Sequence, residues 1–272
     1  MTMPLSGQTA LITGSASGIG FAIARRFAEA GANVMLSGRN RDTGRAAEQA
    51  LRDIGIAAKY MAVDVAREED VRALVNATVD EFGSISILVN NAGPAAEAFG
   101  FGPLHSLPSA VFEQTMRIGL FGAFWCSKYA VPHMVEGGYG IILNISAMPA
   151  TRALPNMGAY AMAKAGMDAL GRQLANDYAA HGIRANNIVV GTVRPDEDDV
   201  STLPADFDHD ALDRAVGRTT MIGSVGQYAD VAATALFLAS PEARYITGAN
   251  IPVEGGALSK VQYPDYTEIM SA

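Results

Sequence analysis

Short, wholly apolar runs alternate with longer amphipathic ones along most of this chain. "TALITG" (9–14) has no polar face, and in the "GIGFAIARRFAEAG" (18–31) that follows it after a tight turn Ile19, Ile23 and Phe27 recur every fourth residue. The first pattern predicts a strand buried on both sides, the second a helix packed on it and stopped by Gly31. The alternation then repeats. "NVMLSG" (33–38), "KYMAVDV" (59–65), "SILVNNAG" (86–93), "GIILNIS" (140–146) and "IRANNIVVG" (183–191) are five further predicted strands. Long helices are predicted from about Val111 to Met134 and from Ala159 to Ala180, and "ITGANIPVEGG" (246–256) is predicted to return as an edge strand.

Apolar strands separated by amphipathic helices mark an α/β fold, a parallel sheet covered by helices on both faces. No low-complexity linker divides the chain, so one domain over 1–272 is expected. The acidic "RPDEDDVSTLPADFDHDALD" (194–213) interrupts the pattern beyond the sixth strand. The expected excursion, 192–224, reads as a substrate lid over the carboxyl ends of the strands, where such sheets hold their ligands. Residues 259–272 read as a C-terminal tail, frayed or used as a subunit-contact arm.

Composition narrows the function classes. With 49% hydrophobic and 18% charged residues among 272, the chain has a large core and is not disordered. A formal charge of −8 repels phosphate backbones and anionic membranes, and no local basic patch offsets it, so neither nucleic acid nor membrane is an expected partner. No apolar stretch reaches the length of a membrane span. The N-terminus lacks a signal-peptide pattern, and the single cysteine, Cys126, lies in an apolar run as a small hydrophobe. A cytoplasmic protein is the expectation.

Chemistry concentrates at two places. "TGSASGIG" puts Gly14, Gly18 and Gly20 between a strand and a helix. Small residues there let backbone amides approach a diphosphate at the start of the helix. The next strand ends in "LSGRN", where Gly38 replaces a ribose-binding carboxylate and Arg39 offers a guanidinium. That exchange favours a 2′-phosphate, hence NADP(H) over NAD(H). Asp64, followed by Val65, can accept the adenine amino group or cap a helix, and Asn90 reads as a tie between strands. The second place is "AYAMAK", where Tyr160 and Lys164 share one helical face. A nearby ammonium favours the phenolate form, so such a pair can pass a proton to or from a carbonyl oxygen.

Together "TGSASGIG", "NNAG", "AYAMAK" and "YITGANIPVEGG" resemble the classical short-chain dehydrogenase/reductase family over nearly the whole chain. The resemblance implies a single Rossmann-like three-layer domain with a seven-stranded, mostly parallel sheet, assembled as a homotetramer or homodimer. It implies Tyr160 as proton-transfer residue and Lys164 as its partner. It also implies a cofactor site that adds Ser17, Ile19, Asn91, Ala92, Gly93 and the backbone of Val193 to the residues above, with Arg39 on the 2′-phosphate.

Three positions depart from the family's pattern. The substrate-orienting serine belongs thirteen residues before Tyr160, where Ala147 stands; the neighbouring Ser146 is either a substitute donor or a back-face structural hydroxyl. The family's helix-4 asparagine aligns with Gly119, which keeps the backbone carbonyl and adds local freedom. Val190 replaces the usual proline after the sixth strand. Pro94, Ala147, Met148, Leu154 and Met157 are expected at the substrate cleft, which suits a hydrophobic ketone or secondary alcohol. No metal is expected, because the acidic segment matches neither calcium nor zinc spacing. Reduction of an activated carbon–carbon double bond, and a cofactor-binding regulatory or structural role, are the alternatives.

Overall fold

The structure, a computed structural model, describes residues 3–94, 101–194, 208–261 and 270. Its first strand, β1 (Thr9–Ile12), is buried at every position because it lies inside the sheet. Helix α1 (Gly18–Glu29) returns antiparallel over one face, burying Ile23 and Phe27, and Gly31 leaves it with φ +98. There follow β2 (Asn33–Gly38), α2 (Arg41–Asp53), β3 (Ala58–Ala62), α3 (Glu68–Phe82) and β4 (Ile87–Asn90). The second half adds α4 (Ser109–Met116), α5 (Gly122–Gly137), β5 (Gly140–Ala147), α6 (Gly158–Tyr178) and β6 (Ile183–Val190). A small pair, β7 (Val193–Arg194) with β8 (Gly226–Gln227), brackets α7 (His209–Thr219). Helix α8 (Tyr228–Ala239) and the edge strand β9 (Asn250–Val253) close the fold.

The seven strands run in the order β3-β2-β1-β4-β5-β6-β9, and every pairing is parallel. This is the Rossmann-like sheet that the resemblance implied, with helices on both faces. The chain winds outward from β1 to β3, then crosses back to place β4 on the other side of β1. That reversal opens a crevice at the carboxyl ends of β1 and β4. One core gathers Ile23, Phe27, Leu143, Ile145 and Val231 on the α1/α8 face. The other gathers Leu74, Leu88, Cys126, Met134 and Ile142 on the α3/α5/α6 face. Burial pushes the Cys126 thiol up to about 12, so it remains an uncharged apolar side chain.

The helix expected over 111–134 is interrupted. A π turn, Arg117–Phe121, separates α4 from α5. A Cβ at Gly119 would lie 3.0 Å from the Ala163 Cβ on α6, and one at Gly122 would lie 3.0 Å from the Val65 carbonyl oxygen. Gly119 therefore lets two helices touch; it is buried and tightly packed, not the point of added freedom the sequence suggested.

One row of side chains crosses the second half of the sheet. Asn90, Asn144, Asn187 and Asn250 stand in register on β4, β5, β6 and β9. Each amide donates to the next: Asn90 to Asn144 at 2.9 Å, Asn144 to Asn187 at 2.8 Å, Asn187 to Asn250 at 2.7 Å. Asn90 is thus the inter-strand tie expected of it. Gly171 lets α6 lie directly on the row, since its Cβ would overlap the Asn187 carbonyl group and crowd the Asn144 amide at 2.9 Å. Gly171→Ala is expected to lower unfolding free energy by about 1–3 kcal/mol through overpacking and broken amide pairing. A urea unfolding midpoint equal to the wild type's would contradict this.

Candidate active site

Two adjoining cavities occupy the crevice. The first, about 290 Å³, lies between the turn after β1, the turn after β2 and the turn after β3. Gly14, Ser17, Arg39, Asp64, Val65, Asn91, Ala92 and Gly93 line it, as the sequence suggested. The second, about 510 Å³, is walled by Ile19, Pro94, Ser146, Ala147, Tyr160, Lys164 and Val193, and shares Asn91 and Gly93 with the first. A dinucleotide needs such a paired arrangement, one compartment for each end.

The phosphate-side turn is built by close backbone approach. Gly14 has φ +63, and a Cβ there would sit 2.9 Å from the Ala92 Cα. A Cβ on Gly20 would strike the Gly14 carbonyl and lie 2.5 Å from the Asn91 amide nitrogen. That amide donates to the Thr13 and Gly14 carbonyls at 3.0 and 2.8 Å, while the Thr13 hydroxyl accepts from the Asn91 and Ala92 backbone N–H groups. Gly18, at φ +60, turns toward the Tyr228 ring and serves the bend, not the cavity wall. Ser17 is the N-cap of α1 with extended backbone and no side-chain bond to the helix start, which leaves first-turn N–H groups facing the crevice. These features fit a bound diphosphate.

Arg39 is exposed at the rim, and no carboxylate pairs with it among the described residues. Its turn is fixed from below: the Tyr60 hydroxyl lies 2.7 Å from the Gly38 carbonyl and 2.8 Å from the Asn40 carbonyl. The Asn40 side chain caps α2 by accepting from Asp42 and Thr43 N–H. Asp64 accepts from the Ala66 N–H at 3.0 Å, so it ties its own turn, while Arg67 occupies the N-cap of α3. Sequence reasoning missed Ala16, Asn40, Thr43, Val63 and Ile118 on this wall. Asn40 and Thr43 were legible as a helix cap beside Arg39. Ile118 was not, because it arrives through the π turn of a distant segment.

At the other end, α6 carries Tyr160 and Lys164 one turn apart along the β5 strand end. Lys164 is 3% exposed; its ammonium donates to the Ile145 carbonyl at 2.5 Å and lies 5.7 Å from the Tyr160 ring centre. Loss of water pushes Lys164 down to about 8, against the upward pull of Asp168. Burial pushes the Tyr160 phenol up to about 12. The expected pull of the ammonium toward phenolate is therefore outweighed: desolvation dominates, and the group stands as a protonated acid.

Ala147 and Ser146 leave β5 on opposite faces. Ala147 belongs to the same face as Ile145 and Leu143, and Ser146 to the face of Asn144, toward α6. The Ser146 hydroxyl is 1% exposed and is one of the groups acting on the Asp168 carboxyl, which is the back-face alternative. Met148, Leu154 and Met157 are not in the cavity wall. β5 ends at Ala147 and the chain turns at once through Met148–Ala150, carrying them beyond it; Leu154 is exposed. The acidic stretch 195–207 lies outside the described residues; beside it, Arg194 pairs with Asp213 at 3.0 Å. The tail begins at an anchor, Lys260, which donates to the Arg218 and Thr220 carbonyls; beyond Val261 only Met270 is among the described residues. No described helix is long and apolar enough to cross a membrane.

Known proteins share this architecture. A family model described as enoyl-(acyl carrier protein) reductase matches residues 14–257. The cis-4-hydroxycyclohexanecarboxylate dehydrogenase of Sinomonas cyclohexanicum is 38% identical over 257 residues, 92% of this chain and 96% of that one. A 7α-hydroxysteroid dehydrogenase solved with NADH and 7-oxo glycochenodeoxycholic acid superimposes with TM-score 0.84 at 32% identity, covering 97% of this chain and 98% of that one. A blue fluorescent protein from a metagenomic library, solved with NADPH, gives 0.83 at 32% identity, covering 93% and 99%. The chain belongs to the classical short-chain dehydrogenase/reductase family, and is an oxidoreductase built around a nicotinamide cofactor.

Proposed function

We propose that this chain is a single-domain NADP(H)-dependent oxidoreductase acting on a hydrophobic ketone or secondary alcohol, with Tyr160 as proton donor and acceptor. The observation that carries the reading is the shared wall of the two cavities: Asn91 and Gly93 join the glycine turn to the compartment that holds Tyr160 and Lys164. When bound, the nicotinamide supplies or receives hydride at the substrate carbon. The protein's own part is proton management. The buried Tyr160 phenol donates to the carbonyl oxygen, and the Lys164 ammonium beside it stabilises the phenolate left behind. Gly14, Gly20 and the first-turn amides of α1 receive the diphosphate. The rim guanidinium of Arg39, held by the Tyr60-locked turn, receives the 2′-phosphate.

Ile19, Pro94, Ala147, Val190 and Val193 give the second compartment an apolar lining, which favours a hydrophobic substrate. The 192–224 segment acts as its lid, and the protein works as a homotetramer or homodimer. A second reading is reduction of an activated carbon–carbon double bond. Ala147 favours it, because that chemistry has less need of a second donor at the oxygen, and the matching family model is described as an enoyl reductase.

Three outcomes test these assignments. Tyr160→Phe is expected to lower turnover of a ketone panel by about 10²–10⁴ while NADPH affinity holds; equal, negligible turnover before and after the change would end the enzyme reading. Arg39→Asp is expected to abolish preference for NADPH over NADH in fluorescence titrations, and a surviving preference would refute the charge argument. The Lys164 ammonium persists below about 8 and gives way to neutral amine above it, so the reduction rate should fall as pH rises through that value. A rate that is flat or rising from neutrality to pH ~9 contradicts the role given to the ammonium.

A further inference from the structure

The asparagine row has a direction and an end. Every link donates the same way, from β4 toward β9, and the last amide, on Asn250, donates to the Asp168 Oδ2 at 3.1 Å. The Asn187 amide also donates to the Asp168 backbone carbonyl at 3.1 Å, which fastens this turn of α6 to the sheet. Aligned amides polarise one another toward the acceptor that terminates them, and a carboxylate is the strongest acceptor available. Asp168 is 4% exposed and stands one helical turn after Lys164, on the same face. Two polar atoms between them remain without hydrogen bonds, the Asp168 Oδ1 and the Ser146 hydroxyl. That hydroxyl is near enough to act on the carboxyl but is not aligned for a bond in this conformation.

We infer that Asp168 is a positioning residue for Lys164: fixed at the end of the asparagine row, it supplies the buried counter-charge that keeps the neighbouring ammonium protonated. It touches neither cofactor nor substrate. An isolated ammonium with almost no exposure is costly and sheds its proton, whereas one paired within a turn by a fixed carboxylate keeps it. Burial raises the Asp168 carboxyl above the usual carboxylate range, and Ser146, the exposed Arg172 one turn further along α6, Lys164 and Asn250 pull it back toward the ionised form. From the strands packed against it come the neutral groups Ser146 (β5), Asn187 (β6) and Asn250 (β9). Around Lys164 are Tyr160 on its own helix, the Ile145 carbonyl of β5 and the Met167 sulfur. Ser146 thus belongs to the lysine's charge and not to the substrate's oxygen.

The kinetic consequence rests on the proposed role of Tyr160; the charge coupling does not. The test is a pH titration of the Lys164 ε-carbon by NMR in the full-length protein labelled with [ε-¹³C]lysine, the resonance assigned by its loss in Lys164→Arg. Asp168→Asn keeps the shape and the Asn250 contact but removes the charge; Asp168→Ser removes it with a different shape. Both are expected to lower the Lys164 midpoint by roughly one pH unit, and Asp168→Glu to restore much of it. The alkaline limb of turnover should shift downward in parallel. A midpoint that stays or rises in whichever neutral variant folds overturns the inference. Should the midpoint fall in a protein without Tyr160-dependent turnover, the coupling stands and the proposed reaction fails. Should Tyr160-dependent turnover survive with an unmoved midpoint, the reverse holds.

Discussion

A parallel sheet covered on both faces leaves its strands little water, so a polar group inside is costly unless the protein itself supplies its partner. That constraint organises this molecule. Among the polar residues the strands carry is one transverse line, Asn90, Asn144, Asn187 and Asn250, whose amides donate from each to the next across four strands. The line runs beneath the end of the sheet where the order of strands reverses, and it stops at a carboxylate on the helix that also carries Tyr160 and Lys164. Packing precision and charge placement are therefore coupled. Gly171 and Gly119 give up their side chains so that α6 can approach both the asparagines and the π turn.

Burial rather than pairing sets the protonation states at the chemical end. Tyr160 is raised and Lys164 lowered because both lose water, and the attraction between phenolate and ammonium does not reverse either shift. The consequence is a phenol that holds its proton through the neutral range. In the proposed reaction such a phenol is the acid that protonates a carbonyl oxygen. In the proposed reaction Ala147 offers the substrate oxygen no donor, and Ser146, one residue earlier, leaves the strand on the opposite face. The missing hydroxyl is thus not recovered by a neighbour on the strand.

The cofactor end depends less on charge than on proximity. Gly14 and Gly20 meet Asn91 and Ala92 so closely that side chains of any size would separate β1 from β4. Asn91 then spends its amide on two carbonyls of the glycine turn, fixing it relative to the next strand. Arg39 is the exception, an exposed cation on a turn held from below, where the Tyr60 hydroxyl lies within hydrogen-bond distance of the Gly38 and Asn40 carbonyl oxygens.

Much of this was readable without coordinates. Apolar runs such as "TALITG" and "GIILNIS" determined the strands, because nothing but burial on both faces tolerates them, and the four-residue recurrences determined the helices. Local spacing also determined the glycine turn, the Tyr160–Lys164 face and the tie formed by Asn90. The tertiary structure alone decided the π turn at Gly119, the removal of Met148, Leu154 and Met157 from the cavity, and the side on which Ser146 falls. It also decided that Tyr160 is raised instead of lowered, and that Asp168 stands at the end of the asparagine row. The physical reason is range: periodicity and spacing act within a few residues, whereas desolvation and cross-strand pairing depend on groups brought together from 40 or more positions away.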